Sequence, residues 1–509
     1  MAIVQNTFRI TAGKIKPGLL NFVRTTNATR INNIGLIETV SANKIRYDYS
    51  PSAVGSPRGW LLEEASTNMC KQSEDFSDAV WLTSTDTYNN NTSVSSAGSI
   101  IAPDGTTNAD TIAATAGVEG IVAVKQTGLS FSATTYTASV FAKKKDLNYL
   151  EISDSDDTVG MTFSQIFNLA TGTTGASSGS VTSKITSYAN GWYRCEVSFT
   201  ITSGTANGTI YIKTSSADTT STMFTPSVAQ GTYIWGAQIE ETGYATSYIK
   251  TLADTVQRSL DQAYLSNTQD RWNGTEGFSM QFEGTPLNAG STNKVRPLYH
   301  YQDTSNDNHI THLSDGTMSV KSGNVQQLAG DPFATNFEAI RENVTRSAIS
   351  IKPNRFHAAQ NGSLSTAALP DTSIDMPVNN GTDYTVKFFH GTGYPDGGSG
   401  WLQSFSIYPT AFSNAALEGL SARTNNDVQE QVRLAMHIGD GTIGTVKLTD
   451  EGVTSAKLGA AAVTAPKMAP DSVIESCIMD GAVTENKIAA NSITSAHLKV
   501  DVIVAEDIA

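Results

Sequence analysis

The chain has 509 residues, with 16% charged, 39% hydrophobic and a formal net charge of −14. That length suits roughly two to four domains, the hydrophobic fraction can build cores and so excludes a disordered chain, and the acidic balance argues against sequence-independent nucleic-acid binding. The start, MAIVQNTFRITAGKIK, has no apolar signal core, and no window approaches 18 apolar residues, so export by signal peptide and membrane insertion are both disfavoured.

Residues 1–19 precede any patterned region and form an N-terminal arm too short for a domain. From 20 to 251 the text reads as β. Runs such as TYTASVFAK (135–143), CEVSFTI (195–201), GTIYIKT (208–214) and GTYIWGAQIEE (231–241) are rich in β-branched and aromatic residues. Ser/Thr/Asn/Gly turns separate them, which argues for a sandwich or jelly roll over a parallel sheet. Residues 252–275 read as a connector with weak helical character. A second β-region spans 276–420 and closes with SNAALEGL, a Ser-capped helical turn. TNNDVQEQVRLAMHIGDG reads as a short helical linker, placed at 421–440. The fold class is therefore all-β: two sandwiches followed by a repetitive β-fibre segment.

That segment, 441–509, has a period of ten. One apolar set falls at Ile443, Val453, Val463, Val473, Val483, Ile493 and Ile503, and a second five residues later at Leu448, Leu458, Met468, Ile478, Ile488, Leu498 and Ile508. Lys447, Lys457, Lys467, Cys477, Lys487, His497 or Asp507 stands before each second-set residue. A spacing of five fits neither an α-helix nor a coiled coil. It also fails a plain strand, where an odd step changes face, so each repeat must turn. A single-chain β-solenoid and a multi-chain shaft both satisfy this. Each repeat alone buries too little to offset its ordering entropy, which favours a homotrimer with these fourteen positions as its core. The lysines either pair with carboxylates of neighbouring chains or form a solvated stripe that blocks edge pairing.

The repeat is similar to the I-T-x-x-K-I-A-x-x-A-V-T arrays of phage tail-fibre proteins, TENKIAANSITSAHL being the nearest stretch. Five ordered motifs, NFVRTTNATRINNIGLIETVSANKIRYDY (21–49), GWLLEEASTNMCKQSEDFSDAVW (59–81), APDGTTNADTI (102–112), NGWYRCEVSFT (190–200) and YIWGAQIEETGYATSYIKT (233–251), together resemble a phage virion module related to carbohydrate-binding-module jelly rolls. The second β-region resembles the laminin-G/concanavalin-like lectin sandwiches of phage structural proteins, through WLQSFSIYPTAFSNAALEGLSA (401–422) and NRFHAAQNGS (354–363), with Phe412 where Leu is usual. A surface of low charge on a chain without an export signal also suits a virion component, assembled in the host cytoplasm and working outside it.

These resemblances imply glycan binding, for which aromatic rings supply stacking platforms. Trp192, Trp235 and Trp401 lie within strand-like runs and read as core. Trp81 lies in a polar segment, and Tyr301, Tyr394 and Asp396 lie in polar or Gly-rich stretches, so these four are the candidate carbohydrate-binding residues. His309 and His312 are three apart and face opposite sides of a strand. No metal site is expected, although structural calcium is compatible with YHYQDTSNDN (299–308). Glu63/Glu64 and Glu240/Glu241 are adjacent carboxylate pairs, read as solvated or salt-bridged, and no catalytic motif is present. Cys70, Cys195 and Cys477 have neither disulfide nor metal spacing, and Cys195 reads as a buried thiol. The expected protein is a non-enzymatic phage fibre presenting glycan-binding sandwiches to a host surface. Its partners would be its own copies, other virion proteins and host-surface glycans. The alternatives are a structural head, neck or tail adaptor and a polysaccharide-depolymerising tailspike.

Overall fold

The computed structural model describes residues 8–11, 20–83, 91–154, 162–203, 205–220, 223–266, 268, 277–287, 297–302, 309–313, 318–322, 325–330, 344–353, 355–365, 385–390, 398–422 and 478–497. Two compact units divide it, 1–429 and 430–509. The fold is nearly all β, as its composition implies, and Asn414–Ala422 is the single α-helix among the described residues. None of the described helices is long and apolar enough to cross a membrane.

The first sandwich has two six-stranded antiparallel sheets. One runs in the order Val181–Ser187, Tyr193–Thr200, Thr135–Lys144, Gly231–Glu240, Asp110–Ala114, Thr92–Ser96. The other runs Thr173–Ser178, Phe163–Asn168, Tyr149–Asp154, Thr205–Ser215, Val122–Phe131, Leu82–Thr83. Alternate residues of the facing strands, among them Val140, Ile152, Phe163, Val197, Phe199 and Ile212, fill the space between them. Phe163 stacks on Phe199 at 4.5 Å. Cys195 is buried here as expected, and so is Cys70; burial pushes both thiols up.

The second sandwich is where the chain departs from its sequence reading. Its larger sheet runs Ser363–Leu364, Arg355–Gln360, Thr345–Lys352, Phe278–Pro286, Gly400–Tyr408, Pro57–Leu62, Arg46–Tyr49, with Phe8–Thr11 also on Gly400–Tyr408. The facing sheet runs Asn21–Val23, Gln262–Leu265, Thr385–Phe388, Pro297–Gln302, His309–Leu313, Met318–Ser322, Val325–Gly330. Strands Phe8–Thr11, Asn21–Val23, Arg46–Tyr49 and Pro57–Leu62 therefore belong to the second sandwich, while the hairpin Ala28–Ile31/Ile37–Val40 packs Ile31 and Ile37 against Trp192 and Trp235 of the first, which is an insertion between Pro57–Leu62 and Gln262–Leu265. Trp60 and Leu62 are buried in the second core, with Phe22 and Tyr47 packed against it. The boundary at 251 is thus not a single cut, and residues 8–11 of the arm form a strand. The connector supplies strands Val256–Arg258 and Gln262–Leu265 rather than a helix. Alternation decides the second of these: Ala263 and Leu265 are buried while Gln262 is exposed.

Local chemistry fits these pairings. Asn361 and Gly362 both have positive φ, 48° and 86°, between the paired strands Arg355–Gln360 and Ser363–Leu364. That is the conformation an Asn-Gly hairpin turn requires. At Gly59, φ is +124° and an added Cβ would lie 2.7 Å from the Leu402 carbonyl, so only glycine lets this strand approach Gly400–Tyr408. The Ser413 carbonyl and hydroxyl accept from Leu417 and Ala416 at 3.0 and 3.4 Å, opening the helix whose Leu417 and Leu420 are buried. The helix read over 424–441 lies outside the described residues.

In the second unit, residues 478–497 form a string of turns. The amide N–H groups of Ala482, Lys487, Ser492 and His497 donate to the carbonyls of Met479, Thr484, Ala489 and Thr494 at 2.8–3.0 Å. The turns start every five residues and alternate in kind. Gly481 and Asn491 adopt positive φ, 73° and 63°, while Glu485–Lys487 and Ser495–His497 are 3₁₀ turns. The two described residues that stand before second-set positions each bond locally, Lys487 to the preceding turn and His497 within its own. Lys487 Nζ donates to Ala482 O at 2.9 Å, and His497 Nδ1 accepts from Thr494 N at 3.2 Å. Neither of the two roles read for the lysines describes this intrachain bond. Ile478, Val483, Ile488 and Ile493 remain 46, 55, 45 and 55% exposed. The other ten repeat positions lie outside the described residues.

Candidate functional site

Of the four sequence candidates, the two that are described, Trp81 and Tyr301, are buried. Trp81 is 5% exposed in the core of the first sandwich, against Phe76 at 4.8 Å, with its Nε1 donating to Gln72 O at 3.0 Å. Tyr301 is 1% exposed in the second core, beside Phe278. Polar flanks misled in both cases: the strand Pro297–Gln302 turns Tyr301 inward, and Asp78 forms the tight turn that brings Trp81 back to the core through Trp81 N→Asp78 O. Both are corrections, because neither ring can stack on a sugar from where it lies. Tyr394 and Asp396 lie outside the described residues. Trp60, Trp192, Trp235 and Trp401 are buried too, and no aromatic side chain among the described residues is fully exposed. His309 bonds Ser319 while His312 packs edge-on to Tyr299, so they do face opposite sides. No group of three or more metal-ligating side chains occurs among the described residues.

The structure instead concentrates charge at the seam between the sandwiches. Arg24, Arg46, Glu63, Arg258 and Asp261 are each at most 2% exposed. Asp261 binds Arg24 at 3.1 Å and also Arg46; Glu63 binds Arg46 at 2.7 Å and also Arg258. Asp261 and Glu63 exchange backbone contacts as well, through Glu63 N→Asp261 Oδ2 and Asp261 N→Glu63 O, both 2.9 Å. Ser247 donates to Glu63 from its amide and hydroxyl at 2.7 and 2.6 Å. Burial pushes the Glu63 carboxyl up, but the Arg258 and Arg46 guanidiniums overcome it and hold it at about 2. Glu240 is also buried and accepts from Ser66 Oγ at 2.6 Å and Thr246 N at 3.0 Å. Glu63 is thus salt-bridged, one of the two states read for it, whereas Glu240 is neither solvated nor salt-bridged but buried and held by neutral donors. The hub itself was not visible in sequence, since its members come from 24, 46, 63, 247, 258 and 261. The one available signal was that four of them fall inside the recognised motifs.

Beside the hub lies a cleft of ≈ 80 Å³. One wall is the hairpin Arg46–Tyr49/Pro57–Leu62 with Trp401 and Leu287; the other is the edge of the first sandwich at Tyr188, Arg194 and Glu196. The Arg58 guanidinium lies 4.7 Å above the Trp401 ring. Trp401 Nε1 donates to Asp48 Oδ2 at 2.8 Å and Ile31 N donates to Asp48 Oδ1 at 2.6 Å. Arg194 donates to Thr246 O at 2.6 Å and Ser139 Oγ at 3.1 Å, over the Phe141 ring. Burial pushes the Asp48 carboxyl up to about 6; its two donors and the nearby arginines offset only part of that.

Asp48 and Glu63 give opposite pH signatures. Asp48 holds its proton more tightly folded than unfolded, so its contribution to stability falls as pH rises from about 4 to about 6, by roughly 3 kcal/mol. Glu63 contributes stability that is present above about pH 4.5 and lost as pH falls towards 2. Thermal unfolding across this range should show both slopes, and Asp48→Ala should flatten the one between about pH 4 and about pH 6. Parallel wild-type and variant profiles would contradict the assignment.

No protein-family model matches the chain, and no curated protein matches it. Among solved structures, it is similar to domain 4 of AbnA, a GH43 extracellular arabinanase from Geobacillus stearothermophilus, in complex with arabinotriose. The identity is 12%, over 36% of this chain and 83% of that one, with a TM-score of 0.26. It is also similar to the CBM40 of Ruminococcus gnavus IT-sialidase, with 16% identity over 30% of this chain and 85% of that one and a TM-score of 0.21.

Proposed function

We propose that this protein is a virion fibre protein that assembles as a homotrimer and holds host-surface glycans through its sandwiches, with the seam cleft as the binding site. The observation that carries this reading is the turn string at 478–497. It satisfies its own backbone every five residues, yet leaves Ile478, Val483, Ile488 and Ile493 exposed in the single chain. Apolar residues kept in register over such a segment call for partner copies. A cleft at a domain interface with a few convergent polar groups is a common setting for a small ligand. Three weak sites on one particle would reinforce each other through effective concentration, by about 10²–10⁴. The engagement of Glu63 and Glu240 by buried donors fits binding without hydrolysis.

The burial of every described tryptophan favours one rival, in which the sandwiches contact other virion proteins. Adhesion of the full chain to host cells tests the choice. The expected result is retention on cells that free host glycan competes away, and retention weaker by about 10²-fold for the Val483→Asp/Ile488→Asp double variant. Equal retention of both proteins would refute multivalent adhesion. Binding to virions but not to cells would establish the adaptor.

A further inference from the structure

We infer that the seam cleft takes a single carboxylate-bearing sugar residue, its carboxylate on Arg58 and its hydroxyls on Glu196 and Tyr188. This deepens the adhesion reading and rests on it for the source of the glycan.

Three observations support the ligand class. The first is Arg58. Its guanidinium is half-buried and stacked on Trp401, and among the described residues no hydrogen bond or ion pair engages it. Asp48 lies near enough to feel the Arg58 charge, but its oxygens accept from Ile31 N and Trp401 Nε1, and no hydrogen bond or ion pair joins it to Arg58 among the described residues. An arginine fork held flat on an aromatic ring is pre-organised for a planar carboxylate. The second is the opposite wall. Arg194 is 5% exposed and satisfied at both terminal nitrogens, yet its buried Nε has no partner. Glu196 is 7% exposed with no hydrogen bond to its carboxylate among the described residues. A carboxylate only accepts, so it suits a hydroxyl donor and repels a second anion. A ligand with one negative group and several hydroxyls satisfies both walls; a bare anion satisfies only one.

The third observation is size. The cleft volume of ≈ 80 Å³ is well above the roughly 10–15 Å³ that admits a single water, so the cleft has room for a small ligand group. Leu61 and Leu287 line its apolar side.

The test titrates the full-length protein with methyl glucuronoside, methyl glucoside and inorganic phosphate, following calorimetric heat and tryptophan fluorescence, since Trp401 lies beneath Arg58. The expected result is saturable binding of the glucuronoside, at least tenfold weaker binding of the glucoside, and loss of that difference in Arg58→Ala. Arg58→Gln, which keeps a stacking amide, guards against a folding artefact and should behave likewise. Equal affinity for the two sugars, unchanged in Arg58→Ala, would overturn the inference while leaving glycan adhesion standing. Tight phosphate binding without glucuronoside binding would overturn it in favour of a plain anion site. Host-cell adhesion with no binding of either sugar would place the glycan elsewhere on the protein. Glucuronoside binding without cell adhesion would uphold the cleft chemistry and refute the adhesion reading.

Discussion

Asp261→Ala is expected to destabilise the 1–429 unit by about 3–5 kcal/mol. The Asp261 carboxylate is 2% exposed, bridges Arg24 and Arg46 and accepts from Glu63 N. Deleting it leaves two guanidiniums buried beside Arg258 with Glu63 as their single remaining carboxylate in the hub. Three cations and two anions become three and one. Guanidiniums cannot shed their charge to escape this, so the penalty is the full cost of uncompensated burial. That is a large part of the roughly 5–15 kcal/mol by which domains are stable. Arg30→Ala is the control. Arg30 donates to the Tyr47 carbonyl at 2.9 Å and pairs with Glu38 at 2.9 Å, with the side chains 25 and 42% exposed, and exposed pairs contribute about 0–1 kcal/mol. Chemical denaturation of both variants at neutral pH should separate them clearly. If Asp261→Ala costs no more than Arg30→Ala, the hub does not hold the seam.

The second large effect is on assembly. Val483→Asp with Ile488→Asp places two carboxylates on the exposed row of 478–497. The turns should persist, because their hydrogen bonds run between backbone groups flanking these positions: Ala482 to Met479, Lys487 to Thr484, Ser492 to Ala489. What should fail is burial of the row between copies, where each chain would bring a charge into a shared apolar core. Circular dichroism is expected to change little while the oligomer falls to single chains. A double variant that keeps the wild-type mass would mean the row faces solvent in the assembly.

The fold class was legible because it depends on local pattern. Short β-branched runs, the Asn361-Gly362 turn and the Ser413 cap each encode their own conformation. So did the core tryptophans 192, 235 and 401, and the need for a turn within the repeat. The weave of the chain was not legible. Leu402 pairs with Trp60, and Ala263 pairs with both Phe22 and Phe388. Nothing local to residues 57–62 says that their partner lies more than three hundred positions away. Trp81 was misread for the same reason. Its flanks are polar, but burial follows from tertiary packing against Phe76. The hub was hidden because its charges are scattered along the chain, and each one alone reads as an ordinary surface residue.

Assembly through the repeat is read out by the molar mass of the purified full-length chain in light scattering. The chain has a mass of 54.0 kDa. Three times that value is expected for the wild type, and the single-chain value for the Val483→Asp/Ile488→Asp variant. A wild-type mass of 54.0 kDa across a concentration series would contradict it. The repeat would then be a self-contained or partner-dependent string of turns, and the fibre reading would lose its mechanism.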